Sequence, residues 1–261
     1  MALAGKRALI TGSTQGLGLA TAQHLAGAGC HVVLNGFGDD RAIANIQRDI
    51  ETRCGVCAMY SPADLRHPDN IERMIAQATE GLGGLDIVVN NAVVRHVGPI
   101  ESLPAHDWDE SLAVNLSSAF HTIRLTLPGM KQRNWGRIVN VSSIYGLTAA
   151  PDRVGYVTTK TALIGLTRAV ALETTGYDIT ANAVCPGTSA TPVHEAAMER
   201  LMDADRLSRV DAERQLLAGK QPTGRLISPD GVAALIVFLC GPDSRDITGA
   251  TLPIDGGWSA M

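Results

Sequence analysis

Long hydrophobic runs are missing from this sequence. None approaches the roughly 20 consecutive apolar residues of a membrane-spanning helix, which argues against a membrane protein. An excess of one charge is also missing, because 22 basic and 26 acidic residues leave a formal net charge of −4 at pH 7. Such a balance gives no reason to expect binding to nucleic acid or to an anionic membrane. The first residues lack the layout of a secretory signal, so we expect a cytoplasmic protein.

A paired cysteine framework is missing as well. The chain has five cysteines at scattered positions, which indicates reduced thiols. Cys54 and Cys57 form a CxxC motif, but a redox pair needs a helix N-terminus to lower the thiol pKa, and this pair follows a predicted helix. A zinc site would need a second pair, and none is present. We therefore predict neither a redox site nor a metal.

Seven short apolar segments alternate with helical patterns along the chain. Alternation of this kind predicts one α/β domain spanning residues 1–261, with a doubly wound, mainly parallel sheet. The hydrophobic share of 45% suits a soluble protein with a sizeable core. The predicted strands are Arg7–Thr11, His31–Leu34, Cys57–Ser61, Leu85–Val89, Arg137–Val141, Ile179–Cys185 and Thr251–Ile254. The predicted helices are Leu19–Ala28, Asp39–Thr52, Pro68–Glu80, Leu103–Arg133, Tyr156–Thr174 and Pro229–Cys240, with Pro128 kinking or ending the fourth.

A glycine-rich turn follows the first predicted strand and precedes the first helix. Gly12 permits the tight turn, Gly16 lets the backbone approach a pyrophosphate, and Gly18 lets the helix pack on the strand. The free N–H groups and the positive dipole end of that helix would bind phosphate. The predicted cofactor contacts in this turn are Gly12, Thr14, Gln15, Gly16, Leu17 and Gly18.

The second strand ends in Asn35-Gly36-Phe37-Gly38, where Phe37 is expected to line the cofactor site. An acidic residue at this place binds the ribose of NAD, and a basic one binds the phosphate of NADP. Residues 35–38 contain neither, and Asp39 and Asp40 come slightly late. The missing base favours NAD.

Other strand ends add residues to the predicted crevice, because ligands bind at the carboxyl ends of strands in open α/β sheets. Asp64 could accept a hydrogen bond from an adenine amino group, although it could equally be a turn residue. The remaining predicted cofactor contacts at strand ends are Leu65, Asn91, Ala92, Pro186 and Gly187.

The stretch Ser142–Lys160 carries the predicted chemistry. Tyr156 and Lys160 are four residues apart and share one helix face, where the ammonium favours the phenolate. Ser143 follows a strand and could hydrogen-bond the reacting oxygen. Such a trio suits removing a proton from an alcohol while hydride leaves its carbon. Asn115 lies in an apolar helical run and must hydrogen-bond either backbone or a water near Lys160.

The long, polar segment of about residues 188–220 has no strand signal. Inserted after the carboxyl end of the sixth strand, it is expected to form a helical lid over the crevice, and a surface pair of helices is the alternative.

These motifs together resemble the short-chain dehydrogenase/reductase family over the whole chain. The marks are TGSTQGLG at 11–18, NNA at 90–92, Asn115, Ser143 and the Tyr156-Val-Thr-Thr-Lys160 segment. The resemblance implies a Rossmann fold with a seven-stranded sheet, and commonly a homotetramer. It also implies a catalytic tetrad of Asn115, Ser143, Tyr156 and Lys160. In it Tyr156 is the acid/base, Ser143 polarises the carbonyl, Lys160 binds the nicotinamide ribose, and Asn115 positions a proton-relay water.

Within the family, the stretches LNGFGD (34–39), RHVGPIE (95–101), SSIYGL (142–147) and ITGATLPIDGGW (247–258) are similar to bacterial D-3-hydroxybutyrate dehydrogenases, which use NAD. The expected substrate pocket differs from theirs. Arg95 stands where they have Gln, Tyr145 where they have His, Arg153 where they have Lys, and Thr188 where they have Trp. Arg95 and Arg153 could each bind a carboxylate or sulfonate through two hydrogen bonds. The predicted substrate contacts are Arg95, Ser143, Tyr145, Arg153, Tyr156 and Thr188.

The favoured interpretation is thus an NAD-dependent dehydrogenase of a small anionic hydroxy acid of the 3-hydroxybutyrate type. Thr188 opens the pocket and leaves a larger substrate as the alternative, such as a sugar, sugar acid, sulfonate or cyclic alcohol. An acyl-thioester reductase using NADPH is less consistent with the missing bases. A dinucleotide-binding protein without catalysis would not need the intact tetrad.

Overall fold

The strands predicted from the sequence form one parallel sheet in the computed structural model, which describes residues 1–261 except for the side chain of Val193. The strand order is 3-2-1-4-5-6-7, which confirms the predicted doubly wound, seven-stranded α/β fold. The strands are β1 (Arg7–Ile10), β2 (His31–Asn35), β3 (Ala58–Ser61), β4 (Ile87–Asn90), β5 (Gly136–Val141), β6 (Ile179–Pro186) and β7 (Thr251–Ile254).

Helices cover both faces of the sheet. They are α1 (Gly16–Gly27), α2 (Asp40–Cys54), α3 (Pro68–Leu82), α4 (Ala105–Leu112), α5 (Ser118–Arg133), α6 (Val154–Glu173), α7 (Pro192–Asp205), α8 (Arg209–Leu217) and α9 (Pro229–Cys240). Apolar residues of α1, α2 and α9 pack on one face, and those of α3, α5 and α6 pack on the other. Because both faces are covered, the central strands β4 and β5 are buried at every position.

The helix predicted over Leu103–Arg133 differs from the observed one. A π-helical turn at Ala113–Ser117 separates α4 from α5, and α5 continues through Pro128 instead of ending there. Pro128 lies on the exposed side of α5, where water can bind the carbonyl that the proline leaves without an N–H donor. Buried Thr126 and Met130 hold the helix to the core on either side of it.

The amino end of the sheet contains a buried ion triad. The side chain of Asp86 is 3% exposed and lies between two arginines. Arg7 donates to it from Nε at 2.7 Å and from Nη2 at 2.7 Å, and Arg133 donates from Nε at 3.0 Å. Burial raises the pKa of the Asp86 carboxyl, but the hydrogen bonds and charges of the arginines outweigh burial and lower that pKa. The triad joins the starts of β1 and β4 to the end of α5.

The carboxyl ends of the strands lie at the opposite edge. The strand order reverses between β1 and β4, and this switch point is where open α/β sheets bind ligands. No helix in the described part of the chain is long and apolar enough to cross a membrane.

Candidate active site

The glycine turn between β1 and α1 forms one wall of a crevice. A Cβ on Gly12 would lie 2.8 Å from Ala92 Cα, and one on Gly18 would lie 2.1 Å from the Gly12 oxygen. Both positions therefore require glycine. Gly16 has φ of +56°, and a Cβ there would meet nothing closer than 3.8 Å, so its backbone faces open space.

The N-terminus of α1 is suited to a phosphate group. Gln15, the residue that precedes the helix, makes no side-chain capping hydrogen bond, and the first turn contains no acidic residue. The first N–H groups of α1 thus stay available beside the open space at Gly16. The turn and helix start fit a dinucleotide pyrophosphate.

Asn91 and Ala92, after β4, hold the glycine turn in place. The side-chain amide of Asn91 donates to the oxygens of Thr11 (2.9 Å) and Gly12 (3.0 Å). The backbone N–H groups of Asn91 and Ala92 both donate to the Thr11 hydroxyl, at 2.9 and 3.1 Å. The structure thus brings these two predicted residues to the cofactor wall.

The end of β2 forms the next part of the wall. The Thr14 hydroxyl donates to the Phe37 oxygen at 2.9 Å, and the Phe37 side chain is exposed at the crevice. Asp39 accepts a hydrogen bond from Ala42 N at 2.9 Å and so caps α2. Its carboxylate is therefore engaged in helix capping.

Asp64 and Leu65 also line the crevice, as predicted. Asp64 is already paired with Arg66, which donates from Nη2 at 2.6 Å and from Nε at 2.9 Å. The hydrogen bond from Arg66 lowers the pKa of the Asp64 carboxyl. Arg66 also reaches Glu110 of α4 at 3.3 Å. Arg66 was not among the predicted site residues, because nothing in its local sequence indicates a basic residue that lines the crevice and binds both carboxylates.

The predicted Tyr156 and Lys160 lie on one face of α6, and both are buried. The Lys160 ammonium lies 5.8 Å from the centre of the Tyr156 ring and donates to the Val141 oxygen at 2.7 Å. Burial raises the pKa of the Tyr156 phenol, but the charges of Lys160 and Arg95 and the hydrogen bonds to the phenol together outweigh burial and bring that pKa below its ordinary value. Hydrogen bonding to Ser143 contributes in the same direction. Burial lowers the pKa of the Lys160 ammonium.

Ser143 begins a short 3₁₀ turn directly after β5. Its Oγ accepts from Tyr145 N at 3.2 Å, and this bond fixes the side chain beside Tyr156. The crevice therefore contains a phenol, an ammonium and a hydroxyl side by side.

Asn115 occupies the π-helical turn and binds backbone. Its Oδ1 accepts from Val94 N at 2.8 Å, and its Nδ2 donates to Val94 O at 3.0 Å and to the Thr159 hydroxyl at 3.3 Å. The side chain thus ties α6 to the loop that carries Arg95. Of the two possibilities open at this position, the structure shows the backbone bond, and the proton-relay water stays a prediction.

Two more of the predicted substrate residues, Arg95 and Tyr145, lie around Tyr156. The Arg95 guanidinium carbon is 5.4 Å from the centre of the Tyr156 ring. The Tyr145 ring meets Tyr156 edge-on with centres 6.3 Å apart, and meets Trp258 at 5.4 Å. Trp258 was not among the predicted site residues, since only folding brings the segment after β7 beside Tyr145.

Arg153 is in a different place from the other predicted substrate residues. It precedes α6 and lines a separate cavity of about 410 Å³, together with Gly98, Ile100 and Val157. Its charge nevertheless acts on His194, which lines the crevice, and contributes to lowering the pKa of that imidazole.

The predicted lid segment forms α7 and α8, and its two ends meet. Thr188 N donates to the side-chain oxygen of Gln221, and Gln221 Nε2 donates to Arg225 O at 2.7 Å. Ser189 pairs with Ile227 in a short parallel bridge. A Cβ on Gly187 would lie 2.6 Å from the same Gln221 oxygen, so this contact requires glycine.

His194 of the lid faces the crevice. Its Nδ1 lies 2.9 Å from the Ser189 oxygen and 3.0 Å from the Thr191 hydroxyl. Burial lowers the pKa of the imidazole, and the charges of Arg95 and Lys220 act in the same direction.

The complete crevice has a volume of about 720 Å³. It runs from the glycine turn past Asp64 and the end of β4 to the catalytic trio and the lid. Its walls contain the predicted residues Gly12, Thr14, Gln15, Gly16, Leu17, Gly18, Phe37, Asp64, Leu65, Asn91, Ala92, Arg95, Ser143, Tyr156, Lys160, Pro186 and Gly187.

The fold and this arrangement are those of a short-chain dehydrogenase/reductase, and the chain belongs to that family. The sequence profile described as enoyl-(acyl carrier protein) reductase matches residues 12–259. The protein is therefore an oxidoreductase of a family that uses NAD or NADP.

Individual relatives are similar over their whole length. The D-beta-hydroxybutyrate dehydrogenase of Cupriavidus necator is 44% identical over 260 residues, covering 99% of this chain and 100% of that protein. The enzyme of the same name from Rhizobium meliloti is 42% identical, covering 98% and 99%. The crystal structure of L-sorbose reductase from Gluconobacter frateurii, complexed with NADPH and L-sorbose, superimposes with a TM-score of 0.93 at 27% identity, and each chain is covered completely.

Proposed function

We propose that this protein is an NAD-dependent dehydrogenase that interconverts a secondary alcohol and a ketone on a small anionic hydroxy acid of the 3-hydroxybutyrate type. One observation carries the substrate class: the Arg95 guanidinium lies beside Tyr156 with no carboxylate partner among the described residues. A guanidinium in this position is suited to bind the carboxylate of a substrate whose hydroxyl reaches Tyr156. The two relatives named D-beta-hydroxybutyrate dehydrogenase support the same class.

The tetrad residues would divide the work as follows. Tyr156, as phenolate, takes the proton of the substrate hydroxyl, and Ser143 donates a hydrogen bond to the same oxygen. A bound oxidised nicotinamide would supply the acceptor for the hydride of the adjacent carbon. Lys160 supports the phenolate by its charge, and its remaining N–H donors are free to bind a ribose. Asn115 keeps the Arg95 loop fixed to α6.

The crevice wall supports NAD as the cofactor. The glycine turn and the start of α1 would hold the pyrophosphate, and Asp64 and Leu65 would hold the adenine. Arg66 is engaged with Asp64 and Glu110, while Arg95 and Lys160 lie beside Tyr156. No base lining the described crevice is thus left for the phosphate of NADP near Phe37.

A larger polyhydroxylated substrate is the second candidate. His194, which lines the crevice, offers an additional hydrogen-bonding group. The structural likeness to L-sorbose reductase favours this candidate.

We also propose a homotetramer, as the family resemblance implies. Phe120 and Leu172 are exposed and apolar, and light scattering would measure the assembly.

The deciding experiment measures formation of the reduced cofactor, NADH from NAD or NADPH from NADP. The substrates are D-3-hydroxybutyrate, its L-enantiomer and larger hydroxy acids, sulfonates and sugars. We expect turnover of D-3-hydroxybutyrate with NAD and little with NADP. Activity confined to sugars would replace the first candidate by the second. A preference for NADP would contradict the cofactor proposal.

Arg95→Ala and Arg153→Ala form a matched pair for the substrate carboxylate. Loss of one charged hydrogen-bonding partner costs about 1.5–3 kcal/mol, so Arg95→Ala is expected to raise KM for hydroxy acids about tenfold or more. Arg153 lines the separate cavity, and its alanine variant is expected to change KM less than Arg95→Ala does. A larger effect at Arg153, or equal effects on acidic and neutral substrates, would reject the assignment to Arg95.

A further inference from the structure

Two cations that come from different parts of the fold lie close to the Tyr156 ring. Lys160 is on the same helix, with its ammonium 5.8 Å from the centre of the ring. Arg95 comes from the loop after β4 and places its guanidinium carbon 5.4 Å from that centre. Lys160 is buried inside the protein, whereas Arg95 is exposed to the crevice. Arg95 is therefore the more accessible of the two cations to a substrate that enters the crevice.

The carboxylates that line the crevice are engaged elsewhere. Asp64 is paired with Arg66, and Glu110 accepts from both Arg66 and His96. In the part of the chain that the structure describes, no acidic group neutralises Arg95. The full charge of its guanidinium therefore acts on the nearby phenol.

We propose that Arg95 is a second cation of the acid–base centre, which stabilises the Tyr156 phenolate until the carboxylate of the substrate binds the same guanidinium. The inference rests on the proposed function, because it assumes an anionic substrate. Binding of that anion neutralises Arg95 and makes the phenolate a stronger base in the complex in which it must take a proton. By reciprocity, deprotonation of Tyr156 weakens anion binding.

The other charged and titratable groups around Tyr156 do not respond to the substrate in this way. Lys160 is buried and bonded to the Val141 oxygen, and Cys185 at the end of β6 is a buried thiol whose pKa is raised by burial. His194 faces the crevice from the lid, but burial lowers its pKa, so the imidazole is neutral near pH 7. Arg95 is the cation that a substrate carboxylate can neutralise.

Titration of the phenol itself tests the proposal without any turnover. The ultraviolet absorbance of tyrosinate is measured against pH in the enzyme and in Tyr156→Phe, and the difference gives the titration of Tyr156. Arg95→Gln removes the charge and keeps a polar side chain, while Arg95→Lys keeps the charge. We expect Arg95→Gln to raise the apparent pKa of the phenol by about one unit, and Arg95→Lys to leave it nearly unchanged.

Acetate serves as the anionic probe on the unaltered enzyme. Saturating acetate is expected to raise the phenol pKa of the enzyme and to leave that of Arg95→Gln unmoved. The proposal would be overturned if the phenol pKa were the same in the enzyme and in Arg95→Gln. It would also be overturned if acetate left the phenol pKa of the enzyme unchanged. The acetate arm on the unaltered enzyme does not use Arg95→Gln, so it remains decisive even if that variant fails to fold.

The pH profiles of turnover separate this role from simple substrate binding. If Arg95 only binds substrate, Arg95→Gln lowers kcat/KM equally at every pH. If it also stabilises the phenolate, the acidic limb of kcat/KM moves upward by about one unit. Absence of any hydroxy-acid turnover would reject the proposed function, while the titration would still decide the role of Arg95.

Discussion

Asp86, at the amino end of the sheet, is enclosed by Arg7 and Arg133, whereas Arg95 and Lys160, near the carboxyl end, lie beside a phenol with no carboxylate between them. At the amino end the arginines lower the pKa of a group that is ordinarily ionised, so pairing keeps it charged and fixed. At the other end, the cations lower the pKa of a group that is ordinarily neutral.

The difference separates charge used for stability from charge used for chemistry. A buried charge that loses its partner is strongly destabilising, so the triad at the amino end is tied together by several short hydrogen bonds. Unpaired cations close together also cost stability, and such clusters of perturbed groups are found mainly at functional sites. The same sheet thus holds a structural ion cluster and an incomplete one, which substrate and cofactor would complete.

The largest effect is expected at the unpaired end, on activity alone. Tyr156→Phe removes the proton acceptor and is expected to lower kcat about 10³-fold, with little change in the free energy of unfolding. Steady-state kinetics and urea unfolding measure the two quantities. Tyr177→Phe, on a tyrosine outside the crevice, is the control. Retained turnover in Tyr156→Phe would show that another group moves the proton.

The reverse result is expected at the amino end. Asp86→Asn leaves two arginines around a neutral amide and is expected to lower the free energy of unfolding by about 3 kcal/mol, with kcat/KM nearly unchanged. Asp49→Asn, which breaks the exposed pair with Arg53, is the control and should cost well under 1 kcal/mol. Equal costs for the two variants would mean that the triad contributes no more than a surface ion pair.

Acid should remove the same contribution from the unaltered protein. Since the folded pKa of Asp86 is lowered, its stabilisation is fully present above the ordinary carboxyl pKa of about 4 and is lost as pH falls through the folded pKa. The difference in unfolding free energy between the protein and Asp86→Asn should therefore shrink below about pH 4. A difference that stays constant into acid would contradict the lowered pKa.

A smaller effect is expected from substitution of His96, whose two ring nitrogens lie beside carboxylates of α4. Its Nε2 lies 2.8 Å from Glu110 and its Nδ1 lies 3.3 Å from Asp107, so it fixes the loop next to Arg95. His96→Ala is expected to raise KM for hydroxy acids about fivefold with a smaller change in kcat, as for one lost hydrogen bond. His106→Ala, at an exposed histidine beside the same Asp107, should have no effect. An equal fall in kcat and kcat/KM would place His96 in the chemical step.

Local patterns were sufficient for the sheet, the glycine turn and the helix face of Tyr156 and Lys160. Each depends on residues close in the chain: apolar runs, a turn that only glycine permits, or a spacing of four on a helix. The carboxyl ends of parallel strands then bring these segments to one edge. The place of Ser143 at the crevice could be predicted because it lies just beyond the end of β5.

Contacts between distant segments could not be predicted in this way. Asn115 binds the backbone of Val94, a partner that nothing in its own helix specifies. Pro128 is tolerated because it faces solvent, and exposure depends on how the whole helix packs. Arg153 was predicted to join Arg95 because it stands where similar enzymes have a pocket lysine, yet in this structure it lines another cavity.

The meeting of the two lid ends makes the segment between them exchangeable. Thr188 and Gln221 are hydrogen-bonded to each other, so an insert of different length can begin and end at this point without moving the strands. Chain closure depends only weakly on insert length, which permits long and short lids alike. Replacement of this one segment can thus change the substrate that such an enzyme accepts. Ser143, Tyr156 and Lys160 would keep their positions after β5 and on α6.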